Sequence, residues 1–153
     1  MDDIDVRILQ ELQRDGRLPN QELADRVGLS PSACLRRVRR LEQEGVVSSY
    51  RAVIDQRRIG LPVTAFVRLR LDRHTPEAIE AVERAIRRID NVVEAHMLAG
   101  DADFLLRVLA SDLAGYEALA REHIRTIPHI ASIDTTFAYG TTKPPSPYPI
   151  SPP

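Results

Sequence analysis

Four arginines occupy five consecutive positions, Arg36, Arg37, Arg39 and Arg40, inside the stretch SPSACLRRVRRLEQEG from Ser30 to Gly45. Guanidinium groups at that density can hold an anionic polymer, pairing two donors with a guanine edge or meeting single phosphates. The plainer alternative is a solvated helix face whose arginines pair with nearby acids such as Glu42 and Glu44. The chain as a whole gives no reason for the concentration: 21 basic and 22 acidic residues leave a formal net charge of -1 over 153 residues. The imbalance is local. Ser30 to Arg58 holds seven arginines against three acids, and Asp72 to Leu105 holds eight acids against four arginines. A basic front half and an acidic middle imply two jobs.

A second stretch, AHMLAGDADFLL, gathers His96, Gly100, Asp101, Asp103 and Phe104. A glycine amide beside carboxylates can receive both ends of a zwitterion such as an α-amino acid. Gly-Asp is equally good chemistry for a plain turn between strands, and on the residues alone the turn is preferred. His74, His96, His123 and His129 share no metal-ligand spacing, so no metal site is expected. No nucleophile arrangement or phosphate-cradling loop stands out, so no catalytic residue and no cofactor is assigned. Cys34 is the single cysteine. It excludes an internal disulfide and fits a reducing, cytoplasmic setting. No apolar run approaches the roughly 20 residues that span a bilayer, and the acidic start does not read as a secretion signal.

The elements that must position these residues follow from caps and periodicity. Asp2 or Asp3 caps a helix with Ile4, Ile8, Leu9 and Leu12 on one stripe. Asn20 caps a second, QELADRV, which Gly28 stops. Ser30 with Pro31 opens a third, running to about Glu44, with Gly45 as its left-handed terminus. On that helix Cys34, Leu35, Val38 and Leu41 read as the buried side. Ser32, Ala33, Arg36 and Arg40 read as the opposite side, with Arg37 and Arg39 on the flanks. Helix, glycine turn and second helix with a polar outer face form the helix-turn-helix plan, in which the second helix enters the major groove of double-stranded DNA. Ser32, Ala33 and Arg36 are then placed for bases, and Arg37, Arg39 and Arg40 for phosphates.

Beyond residue 46 the segment VVSSYRAVI reads as a hinge strand. Strand and helix patterns then alternate as βαββαβ from about Val63, the split arrangement of a ferredoxin-like domain. The expected fold is therefore α+β. Residues 1–46 form a helix-turn-helix domain, 47–61 a hinge strand and linker, 62–142 the ferredoxin-like domain, and 143–153 a flexible tail holding six of the eleven prolines. On the first strand Thr64, Phe66, Arg68 and Arg70 point away from the helices. An uncovered face with a large apolar group predicts a homodimer through the sheet.

LADRVGLSPSACLRRVRRLEQEGVV, followed by a strand and a βαββαβ domain, resembles the Lrp/AsnC (leucine-responsive/asparagine, feast/famine) family of transcriptional regulators over residues 1–143. SPSACLRRVRRLE and GDADFLLRV are similar to motifs of its leucine-responsive branch. The resemblance implies a DNA-binding domain, a hinge, and an effector-binding RAM domain. It also implies dimers assembling into octamers, with an amino-acid effector bound between dimers. It places His96, Gly100, Asp101, Asp103 and Phe104 at the effector pocket, with Phe104 where the family more often has tyrosine. Thr135 matches a threonine of the family's last strand. The rival readings are an architectural DNA-binding protein without effector and, from another class, a ferredoxin-like enzyme.

Overall fold

The computed structural model describes residues 1–151; Pro152 and Pro153, the end of the expected tail, lie outside the described residues. Two compact units form, Met1–Val53 together with the tail from Thr142, and Ile54–Thr141.

The first unit holds α1 (Asp3–Arg14), α2 (Asn20–Val27) and α3 (Pro31–Gln43). Each boundary has a local cause. The Asp2 carboxylate takes the Asp5 amide and the Asp5 carboxylate takes the Asp2 amide, so two donors of the first turn are satisfied reciprocally. Gly28, at φ 75°, ends α2 in a conformation that a side chain would strain. Ser30 accepts the Ala33 amide at 3.3 Å and caps α3, with Pro31 filling the first helical position. Asn20 is not the cap of α2 but its first helical residue. Its Nδ2 donates 2.9 Å to the Pro31 carbonyl and ties the two helices across their turn. Ile8, Leu23, Ala24, Cys34 and Leu41 close the core beneath. Burial of each large side chain there contributes about 1.5–3 kcal/mol.

The expected hinge strand is not formed. Residues 48–55 pair with no other strand, Val53 is fully exposed, and a turn follows at 56–60. A strand exists only through the ladder that satisfies its amides, and one copy of the chain offers this segment none.

The second unit runs β1 (Val63–Leu71), α4 (Pro76–Ile86), β2 (Val92–Met97), β3 (Phe104–Ala110), α5 (Leu113–Leu119) and β4 (Ile130–Phe137). The antiparallel order is β2-β3-β1-β4, as the βαββαβ pattern requires. Period-two alternation turns Ala65, Val67, Leu69 and Leu71 inward against Val82, Ile86 and Ile124. Phe66 stays 38% exposed on the other face. One π-helical turn, Ala120–Ile124, continues α5.

The tail from residue 143, expected to be flexible, is instead seated on α1. Ile150 packs against the core of the first unit, and Gln10 and Gln13 bond to the tail backbone.

Candidate nucleic-acid interface and sensing site

Ser32, Arg36, Arg39 and Gln43 form the open face of α3, with Leu35 and Arg40 at its margins. At about 100° per residue these four lie opposite Cys34, Val38 and Leu41, whereas Leu35 stands about a quarter turn from Cys34. Leu35 is accordingly 37% exposed, not part of the buried stripe. Ala33 is half-buried, its amide engaged by the Ser30 cap. Gln43 was missed in the sequence; its place about three turns after Ser32 was the available signal.

The arginines divide differently from the sequence expectation. Arg37 Nη1 donates 2.8 Å to Asp2 and 2.8 Å to Asp5, so it faces α1 and is not placed for phosphate. Arg40, expected to point away from the core, donates 2.5 Å to the other Asp5 oxygen and keeps 46% of its side chain exposed. Both belong to the α1 side of α3, because each sits nearer to Ala33 than to Arg36 around the helix. Asp5 is 1% exposed. Burial alone would push its carboxyl up, but the Asp2 amide, Arg37 and Arg40 outweigh that and hold it below the ordinary carboxylate range. The Asp5 amide, and after it Arg37, lower Asp2 to about 2. Arg36 and Arg39 carry no such partners among the described residues and stand in solvent. The unit thus presents two unneutralised guanidinium groups, flanked by a hydroxyl and an amide, on one rigid helix. That surface suits a groove of duplex DNA.

In the second unit the expected effector residues do not converge within one chain. Phe104 is 3% exposed and belongs to the core, because its strand parity matches that of Leu106 and Val108. Asp103 is already spent: one oxygen accepts the Leu71 amide at 2.7 Å and the other meets His74 Nε2 at 2.8 Å. The Leu71 amide, with His74 adding to it, keeps the Asp103 carboxyl below its ordinary range. Thr135 turns to the helix side on the edge strand β4, where its hydroxyl lies 2.6 Å from that of Tyr116. His96 lies on the opposite edge strand β2 and meets Glu94 at 2.7 Å. Gly100 has a negative φ, and a side chain there would meet nothing.

Asp101 does stand open, at a depression it lines with Arg68, Arg70, Ala102, Ser132 and Asp134. Arg70 Nε donates 3.0 Å to the Asp101 carbonyl, which leaves the Asp101 carboxylate unengaged by that bond. Arg68 pairs with Asp134. A depression carrying both charge signs can receive a zwitterion. Arg68 and Arg70 were legible as outward residues of β1; Ser132 and Asp134 face them only through the β1–β4 register.

Comparison with known proteins places each unit. Residues 1–48 match the model of a winged helix-turn-helix DNA-binding domain, and residues 64–148 match that of the Lrp/AsnC ligand binding domain. The chain is 38% identical to the leucine-responsive regulatory protein of Escherichia coli over 130 residues, 85% of this chain and 79% of that protein. A transcriptional regulator from Neisseria meningitidis, solved with L-Met, superposes with TM-score 0.91 at 32% identity, covering 97% of this chain and 96% of that one. An AsnC family transcriptional regulator from Agrobacterium tumefaciens gives 0.92 at 34%, covering 97% of both. These relatives are regulators and not enzymes. With an open arginine face on a helix-turn-helix unit and a ligand-binding unit behind it in the chain, the protein belongs to the Lrp/AsnC family of DNA-binding transcriptional regulators.

Proposed function

We propose that the protein reads specific DNA sequences and that an amino acid, bound in the second unit, changes its oligomeric arrangement and hence the spacing of its paired DNA-reading heads. The observation that carries the DNA reading is the unpaired pair Arg36 and Arg39 on the open face of α3. Arg36 and Ser32, nearer the helix N-terminus, take base edges; Arg39 and the exposed part of Arg40 take phosphates. Support for the effector comes from the mixed-charge depression at Asp101 and from the L-Met found with the Neisseria relative. Support for self-association comes from Phe66 on the uncovered sheet face. A homodimer through that face, built up to an octamer, provides the several heads this mode needs. The same reading places the protein in the cytoplasm beside its DNA; no helix among the described residues is long and apolar enough to cross a membrane.

Thermal shifts against the twenty amino acids, followed by operator and random-DNA titrations with the stabilising one, test this reading. The expected result is a shift with one or a few amino acids and a change in operator affinity or size distribution. Equal affinity for operator and random DNA, with no shift from any amino acid, returns the architectural alternative.

A further inference from the structure

Tyr148 carries the only backbone N–H between Pro147 and Pro149, since proline has none. Gln13 meets it with a matched pair of bonds: the Tyr148 amide donates 2.5 Å to Gln13 Oε1, and Gln13 Nε2 donates 3.2 Å to the Tyr148 carbonyl. A side-chain amide presents the same donor and acceptor as a peptide group, so this pairing recognises an extended backbone whatever side chain it bears. The Tyr148 ring is indeed left 81% exposed. One helical turn earlier, Gln10 Nε2 donates 3.3 Å to the Ile150 carbonyl, and the Ile150 side chain packs against the apolar core of the first unit.

The spacing is matched. Two residues of an extended proline-rich segment advance about 6 Å. Three helical residues, from Gln10 to Gln13, advance about 4.5 Å. The glutamine side chains span the difference, and the tail runs antiparallel to α1. Pro149 also holds Tyr148 in the extended region before any contact forms, which lowers the conformational entropy lost on docking.

We propose that the Gln10–Gln13 face of α1 is a docking site for an extended, proline-bearing peptide segment, and that the chain's own residues 147–150 occupy it. The chain thereby crosses between its two units twice, after Val53 and before Thr142. The DNA-reading unit is tied to the ligand-binding unit through two segments, one at each end of the latter.

The test uses a labelled synthetic peptide of residues 143–153, titrated against the chain truncated after Thr142 and against the full chain. Saturable binding to the truncated chain is expected, weakened at least tenfold by Gln13→Ala. The full chain, whose site is filled, is expected to bind at least tenfold more weakly than the truncated one. No binding to a truncated chain that keeps its helical circular dichroism, or binding indifferent to Gln13→Ala, overturns the proposal. A second measurement needs no truncation: the full chain carrying Arg14→Cys and Tyr148→Cys is treated with a short bismaleimide. A link within one chain supports the proposal. A link between two chains, or none, overturns the assignment to the chain's own tail.

Discussion

Arg37 donates 2.8 Å to Asp5, 32 residues earlier in the chain, and so is drawn toward α1 instead of outward. The other Asp5 oxygen holds Arg40, so one buried carboxylate fixes two of the four arginines. Asp5→Asn should therefore destabilise the first unit by about 2 kcal/mol. That is below the roughly 3–5 kcal/mol of a fully buried broken pair, because Arg40 is half exposed. It should also strengthen the phosphate contact of Arg40 by removing its competitor, and steepen the salt dependence of random-DNA binding by at most about one unit of log slope. Urea denaturation and titrations across salt concentrations measure both. Unchanged stability together with an unchanged slope would remove Asp5 from this role.

Acid should loosen the same unit. Asp2, Asp5 and Glu11 all sit below their ordinary values in the folded chain, so folding binds fewer protons than unfolding does there. Their contribution is complete above the unfolded value, 3.8 for an aspartate, and is lost as pH falls toward the folded value, about 2 for Asp2. The melting temperature should be flat near neutrality and fall progressively between about pH 4 and pH 2. A melting temperature that rose on acidification would contradict the ion-pair geometry.

Arg36→Ala and Arg39→Ala should fail differently. The first should cost about 1–3 kcal/mol on the operator and relax preference at one base position, leaving random DNA almost untouched. The second should weaken operator and random DNA alike and flatten the salt slope by about one. Fluorescence anisotropy on both DNAs separates them, and identical profiles for the two variants would refute the division of labour.

Asp101 and Asp103 should separate too. Asp103→Asn removes a group that accepts the Leu71 amide and meets His74, so it should lower the melting temperature of the second unit with or without effector. Asp101→Ala should leave that temperature in place and weaken the effector. Calorimetry of both variants decides, and the reverse pattern would move the site.

Phe66→Asp places a charge on the uncovered sheet face and should shift the protein toward smaller species in analytical ultracentrifugation. Sedimentation identical to that of the parent chain would show that the face is not an interface.

What could be read in advance follows the range of the interactions. Ser30 with Pro31 and Gly28 announce helix ends within four residues of the bonds they make, and each is found as expected. The βαββαβ order was equally readable, since each element carries its own period. The pairing of Asp5 with Arg37 and Arg40 was not, because helical spacing reports only neighbours three or four apart. Phe104 was placed at the pocket by resemblance, whereas its strand parity with Leu106 and Val108 turns it into the core. His96 and Thr135 came from resemblance to a pocket between chains, and in a single chain they occupy opposite edges of the sheet.

Because residues 142–151 return to the helices at the front of the chain, the DNA reader is discontinuous in sequence. Swapping heads between relatives at a single cut after Val53 would leave the grafted α1 without the segment that covers it, and would leave the host's own ending opposite a stranger's helix. A working chimera of this protein needs two splice points.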